Sequence, residues 1–172
     1  AHNMLVINPD SYTTSVEINS NRFAPIISAE ANNSGGYVIA DMSDVYNEST
    51  DMTLGYYIDD NMNSVTMRNE FTLSRALPCT WGMITKGIIS IDGNTAYITQ
   101  GNDSIKLQGI SDGNNVKWMD CGTPKPSSDS FAQVFVAQNQ NTGYKQLKLF
   151  FTANEGDNKL IIKISPKYGS ST

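Results

Sequence analysis

Histidine is almost missing from this sequence: 172 residues contain one, His2. A self-contained Ser-His-Asp triad would have to rest on that residue, beside a chain end where backbone frays. No Gly-x-Ser-x-Gly elbow and no Gly-rich phosphate cradle is present either. Cysteine is scarce as well. Cys79 and Cys121 stand apart with no Cys-x-x-Cys pair, which excludes a disulfide scaffold. With a single histidine they also cannot build a structural zinc site of the usual spacing; they are either one disulfide or two thiols. No apolar run is long enough to cross a membrane, and the first residues lack the charged, apolar and small-residue series of a signal peptide. Basic residues are thin over residues 1–100, four Lys/Arg against eleven Asp/Glu. That balance argues against a nucleic acid partner, because phosphate binding needs a concentrated basic face. Helical spacing is confined to Ser43–Ser49, too short to anchor a domain.

What the sequence does have is alternation. In "SVTMRNEFTL", Val65, Met67, Phe71 and Leu73 point one way and Thr66, Arg68, Glu70 and Thr72 the other. Leu147, Leu149 and Phe151 share a face in "YKQLKLFFTA", and Leu160, Ile162 and Ile164 share one in "NKLIIKISP". A period of two with one apolar face is the pattern of half-buried strands. Turn residues punctuate these runs at short intervals, as in Asn33-Ser34-Gly35-Gly36, Gly101-Asn102-Asp103 and Asp112-Gly113-Asn114. "IDGNTAYI" reads as a hairpin in which Asp-Gly turns Ile91 back toward Tyr97. The pattern predicts an all-β, antiparallel two-sheet sandwich of about a dozen strands with little or no helix, forming one domain over residues 1–172. The Pro- and Ser-rich stretch Cys121–Ser130 is expected to cross from one sheet to the other. The lysines from Lys145 to Lys167 alternate with apolar residues and are expected on the solvated face of strands.

Few residues suggest chemistry by themselves. "DDNMNSVTMRNE" spaces Asp59, Asn61, Asn63 and Glu70 like a calcium loop, but Ser64 stands where that loop needs Gly and a strand pattern begins at once. A hairpin turn entering a strand accounts for these residues. The carboxylates of Asp59-Asp60 and of Asp41 and Asp44 read as solvated turn residues. Tyr56, Tyr57 and Tyr97 are candidates for stacking on sugar rings, although tyrosine is also ordinary on half-buried sheets.

Three stretches taken in order resemble the C-terminal β region of the heparinase II/III-like polysaccharide lyases. "AHNMLVINP" is similar to that family's Ala-His-Asn followed by an apolar strand. "GGYVIADMSDVY" (Gly35–Tyr46) resembles its Gly-Tyr-apolar-Asp-x-Ser/Thr-x-x-Tyr segment. "VTMRNEFTL" followed by "CTWGMITKGIISIDGNTAYITQGNDSIKL" resembles its Asp-Glu strand, its Trp-centred strand and the hairpins beyond. The likeness covers roughly residues 1–110. It departs at Asn69-Glu70, where the family has Asp-Glu, and at Ile84, where the family carries a His before the Thr; the second change points to a divergent branch with a different glycan.

The resemblance implies an N-terminal α-helical toroid packed on a C-terminal stack of sheets, with this chain as the C-terminal β fragment of such an enzyme. It implies β-elimination on an acidic, uronic-acid-containing polysaccharide such as a glycosaminoglycan or an alginate-like chain. In that reaction a base removes the C5 proton and the glycosidic oxygen leaves from C4. His2 corresponds to one ligand of a zinc ion in the metal-binding members, with Asn3 beside it; the other two ligands, a His and an Asp, lie upstream. Zinc is therefore expected in a full-length parent and not tightly bound to this fragment, since one nitrogen donor holds it weakly. The catalytic residues are expected outside these residues, leaving the fragment inactive, and the substrate class places the parent in the periplasm or outside the cell. The rival readings are a non-catalytic carbohydrate-binding or adhesin module, with Tyr56, Tyr57 or Trp118 as its stacking platform, and a viral or phage β domain serving assembly alone.

Overall fold

The computed structural model describes residues 4–9, 22–59, 63–123 and 142–167. Alternation does what the sequence predicts: each run with a period of two becomes a strand, and each cluster of turn residues ends one. Among the described residues twelve strands result: β1 (Leu5–Ile7), β2 (Ile26–Asn32), β3 (Gly35–Asp41), β4 (Ser49–Asp59), β5 (Ser64–Leu73), β6 (Leu77–Thr85), β7 (Ile88–Asp92), β8 (Thr95–Gln100), β9 (Asp103–Ser111), β10 (Asn114–Asp120), β11 (Lys145–Ala153) and β12 (Gly156–Pro166). They form an antiparallel sheet of four, in the order β1-β6-β11-β10, and one of eight, in the order β2-β3-β4-β5-β12-β9-β8-β7. The sandwich is thus all-β, and among the described residues there is no helix, so none long and apolar enough to cross a membrane.

The core lies between the sheets. From the small sheet, Leu5, Trp81, Leu149 and Trp118 stand in one cross-strand row, all buried. The two indoles meet edge to face at 6.0 Å and 89°, the geometry the ring quadrupole favours. Trp118 Nε1 donates to the Asn94 carbonyl at 3.1 Å, which satisfies its one polar atom. From the large sheet, Met67, Phe71, Leu73, Leu107, Leu160 and Ile162 close the other side. The faces assigned to β5, β11 and β12 from sequence are the faces observed.

Two local expectations are corrected. Ser43–Ser49 is not helical. Asp41 Oδ1 accepts from both the Ser43 amide (2.9 Å) and the Ser43 hydroxyl (2.7 Å), and the Ser43 hydroxyl accepts from the Met52 amide at 3.0 Å. These side-chain bonds compete with helix formation and fix the segment as a turn against β4, which begins at Ser49. The β7–β8 hairpin exists, but its two-residue turn is Gly93-Asn94, with Gly93 at φ 54°. Ile91 therefore faces Ala96, and Ser90 faces Tyr97. The crossing expected of the Pro- and Ser-rich stretch Cys121–Ser130 falls on residues that, from 124 on, lie outside the described ones; the strands on either side, β10 and β11, are antiparallel neighbours in the small sheet. Cys121 N donates to the Gln146 carbonyl and Gln146 N to the Gly122 carbonyl, both at 2.8 Å, so the pairing continues past the last residue of β10. Residues 124–141 lie outside the described residues.

Candidate functional site

The segments that carried the resemblance meet at one corner of the sandwich. β1 is the edge strand of the small sheet and pairs with the Trp-centred strand β6, Leu5 opposite Trp81 and Ile7 opposite Cys79. Gly82 N donates to the Met4 carbonyl at 3.1 Å, extending that pairing toward the chain start. Tyr46 closes the Asp41 turn from the other sheet. Its ring is buried and its hydroxyl donates to the Leu5 carbonyl at 2.8 Å. Burial holds that hydroxyl well above the usual tyrosine range, so it stays a donor. Arg22 braces the same turn from outside, its Nη1 donating to the Asp44 carbonyl at 2.8 Å. A recess of about 380 Å³ lies there, lined by Arg22, Asp44, Tyr46 and Asn47. The Ser43 hydroxyl, and then the Ser43 amide, hold the Asp41 carboxyl below the usual carboxylate range. His2 and Asn3 precede β1 in sequence and lie outside the described residues. Among the described residues no three of His, Cys, Asp and Glu gather as a metal would require.

The second surface is the outer face of the eight-stranded sheet. Register brings Tyr37 opposite Tyr57, Gly55 opposite Arg68, and Thr53 opposite Glu70. The Tyr37 and Tyr57 rings stack at 5.9 Å and 30°. Tyr57 lies flat on the Gly55 backbone: a Cβ at Gly55 would come within 2.7 Å of Tyr57 Cε2, so only glycine lets the ring down onto the strand. Arg68 Nη2 donates to Glu70 Oε1 at 2.6 Å, which holds the guanidinium still more firmly protonated. Beyond them a cleft of about 420 Å³ sets Lys159 among Asp51, Glu70, Asp112 and Asp157, with Thr72 Oγ1 donating to Asp157 at 2.8 Å.

The residues singled out from sequence are not all brought together. Tyr56 and Tyr57 are consecutive on β4 and face opposite sides of the sheet, while Trp118 is buried in the core. Those three do not form one platform, and the pair that does, Tyr37 with Tyr57, requires a strand register that spacing alone does not reveal. Tyr97 has the Lys167 ammonium over its ring at 4.6 Å. The calcium-like spacing resolves into the β4–β5 hairpin, Asp59 opposite Ser64; residues 60–62 lie outside the described residues, and Glu70 is bound to Arg68 well along β5. Asn69, the amide at the family's Asp position, is buried on the core side of β5 and does not face Glu70's surface. Ile84 sits at the far end of β6, opposite Gln146. Cys79 and Cys121 are free thiols, the first buried and the second exposed.

No family model and no curated protein matches the chain by sequence. Solved structures do match by shape. A crystal structure of heparinase III superposes with a TM-score of 0.66 at 13% identity, covering 99% of this chain and 24% of that one. A second heparinase III gene product gives 0.64 at 16% identity over 96% of this chain and 24% of its own. A heparan sulfate lyase from Pedobacter heparinus gives 0.65 at 12% identity, with 99% and 25% covered. The chain spans about a quarter of the length of these structures. Over nearly all of its own length, this chain has the fold of one part of heparinase III.

Proposed function

We infer that this chain is the C-terminal β domain of a heparinase II/III-like polysaccharide lyase, an enzyme that cleaves uronic-acid-containing polysaccharides by β-elimination. The observation that carries the reading is the Tyr46–Leu5 bond. It joins two of the three family-like stretches at one corner, on a fold shared with heparinase III. In the parent the domain supports one wall of the substrate cleft and packs against the α-helical toroid. His2, which precedes β1 in sequence, donates one imidazole to a structural zinc. Its other ligands, as the resemblance implies, are a His and an Asp upstream in the parent. A zinc held there would fix the geometry of the cleft wall. The parent works in the periplasm or outside the cell, where such polymers are met.

The test compares the 172-residue chain with the same chain joined to its upstream toroid, on heparan sulfate and on alginate. Elimination leaves a double bond conjugated to the uronate carboxylate, read as ultraviolet absorbance. The joined protein is expected to generate it and the 172-residue chain is not; product from the shorter chain would overturn the reading. In the joined protein, His2→Ala is expected to lower the zinc content measured by atomic emission. A non-catalytic carbohydrate-binding or adhesin module is the second reading, favoured by the Tyr57 ring laid flat beside Tyr37. It requires that Tyr57→Ala abolish glycan binding while no joined form shows elimination.

A further inference from the structure

The outer face of the eight-stranded sheet separates its charges. The acids around Lys159 sit at one end of β12. Four residues further along that strand, about 13 Å at the usual rise, the face turns basic. Lys163 stands opposite Gln108, Ser165 opposite Lys106, and Lys106 opposite Tyr97. Lys167, just past β12, lays its ammonium over the Tyr97 ring at 4.6 Å, and its backbone amide donates to the Ser104 carbonyl at 2.8 Å. These residues occupy the adjacent strands β12, β9 and β8, so three ammonium groups fall within roughly 15 Å of one another. The other outward positions of β8 and β9 there carry hydroxyls or an amide and no carboxylate; Asp59 on β4 and Asp92 on β7 mark the borders.

We propose that Lys106, Lys163 and Lys167, the last held over Tyr97, form a binding strip for an acidic polysaccharide chain. The inference rests on the lyase reading for the substrate class and adds where on this domain such a chain is held. A linear uronate or sulfated glycan offers spaced anions for the ammonium groups and hydroxyls for the Ser, Thr and Gln side chains between them. The contact to Tyr97 restrains Lys167 before any ligand arrives, which lowers the ordering cost of binding. Duplex nucleic acid suits the strip poorly. Its phosphates repeat at about 1.7 Å of axis per charge, too dense for three lysines on a protein of net charge −5.

The experiment uses the 172-residue chain and fluorescein-labelled heparan sulfate and alginate oligosaccharides. Fluorescence polarisation is read from low salt up to about 0.15 M ionic strength. Acidic glycans are expected to bind. Lys106→Gln/Lys163→Gln/Lys167→Gln is expected to bind about tenfold more weakly, with a salt slope lower by about two and an unchanged melting temperature. The matched Lys117→Gln/Lys145→Gln/Lys148→Gln variant, on the small sheet, controls for net charge and is expected to bind as the parent sequence does. Equal binding by the first variant, an equal loss in the control, no binding by the unaltered chain, or equal affinity for duplex DNA or phosphatidylglycerol vesicles would each overturn the strip. None of these outcomes touches the lyase reading, which stands or falls on the unsaturated product. Binding of neutral dextran in preference to the acidic glycans would likewise overturn the strip.

Discussion

A hydroxyl inside an apolar corner persists only when bonded, and Tyr46 meets that condition through a single acceptor, the Leu5 carbonyl. Tyr46→Phe keeps the ring and removes the donor, leaving a buried carbonyl unpaired. The expected cost is about 1–2 kcal/mol, read as a lower urea midpoint with an unchanged m-value. Cys79 gives a second expectation, in pH. Burial pushes its thiol from an ordinary value of 9.0 up to about 12. In the unfolded chain the thiol ionises near its ordinary value while the folded chain keeps the proton, so the unfolded state binds fewer protons above about pH 9. Stability is therefore fully present below that pH and falls as pH rises toward about 12. Tyr46, also raised by burial, adds to the fall at the upper end. Urea midpoints across this range are expected to drop, and Cys79→Ala to remove the part that begins first. With a thiol reagent near pH 8, the folded chain is expected to expose Cys121 alone, and the urea-unfolded chain both thiols.

At the scale of elements, the family-like pair Gly35-Gly36 has a steric reason to be glycine. A Cβ on Gly36 would come within 2.5 Å of the Glu30 carbonyl oxygen and 2.9 Å of the Ala31 Cα, both backbone atoms of β2. Backbone cannot rotate away as a side-chain end can. Gly36→Ala is expected to cost about 1–3 kcal/mol and to loosen β2 from β3, seen as faster amide exchange in Ile26–Asn32. How far elements were legible follows from the same physics. β5, β11 and β12 alternate cleanly because one face is buried along most of their length, so their faces could be read directly. The hairpin at Gly93 shifted its register by one because Asp92 pairs with Thr95 and leaves the turn to Gly93-Asn94, a choice that alternation does not encode. Ser43–Ser49 stood as the one candidate for helical spacing because periodicity ignores side-chain acceptors, and Asp41 supplies one. The Tyr37–Tyr57 pair, the Arg68–Glu70 bridge and the strip around Tyr97 all depend on which strands become neighbours. In particular, β12 joins the large sheet between β5 and β9, and no local pattern announces that.

At the scale of the molecule the decisive feature is that, among the described residues, four strands cover eight. The small sheet comes nearest the large one where β10 and β11 approach β7 and β9, leaving β2, β3 and the Tyr56–Ile58 end of β4 as an overhanging wing. On the inner face of that wing Ile26, Ile58 and Tyr56 are 67%, 45% and 38% exposed, whereas Leu147, Leu149, Leu160 and Ile162 are fully buried. Among the described residues β2 pairs with β3 alone and has no strand on its other side. Local stability follows buried apolar contact, so the molecule should not open uniformly. Native-state hydrogen exchange is expected to find β2 fastest and β3 next, with β6, β11, β5 and β12 slowest. The slowest amides should approach the free energy of global unfolding. Both tryptophans stand in the core row with Leu5 and Leu149, so their fluorescence reports only the covered half. Under denaturant, the circular dichroism signal should begin to fall before the tryptophan signal does, because opening of the wing removes strand without disturbing the core. Coincident transitions by the two probes, together with β2 amides as protected as those of β11, would show instead that the overhang is bound into the core as tightly as the covered strands.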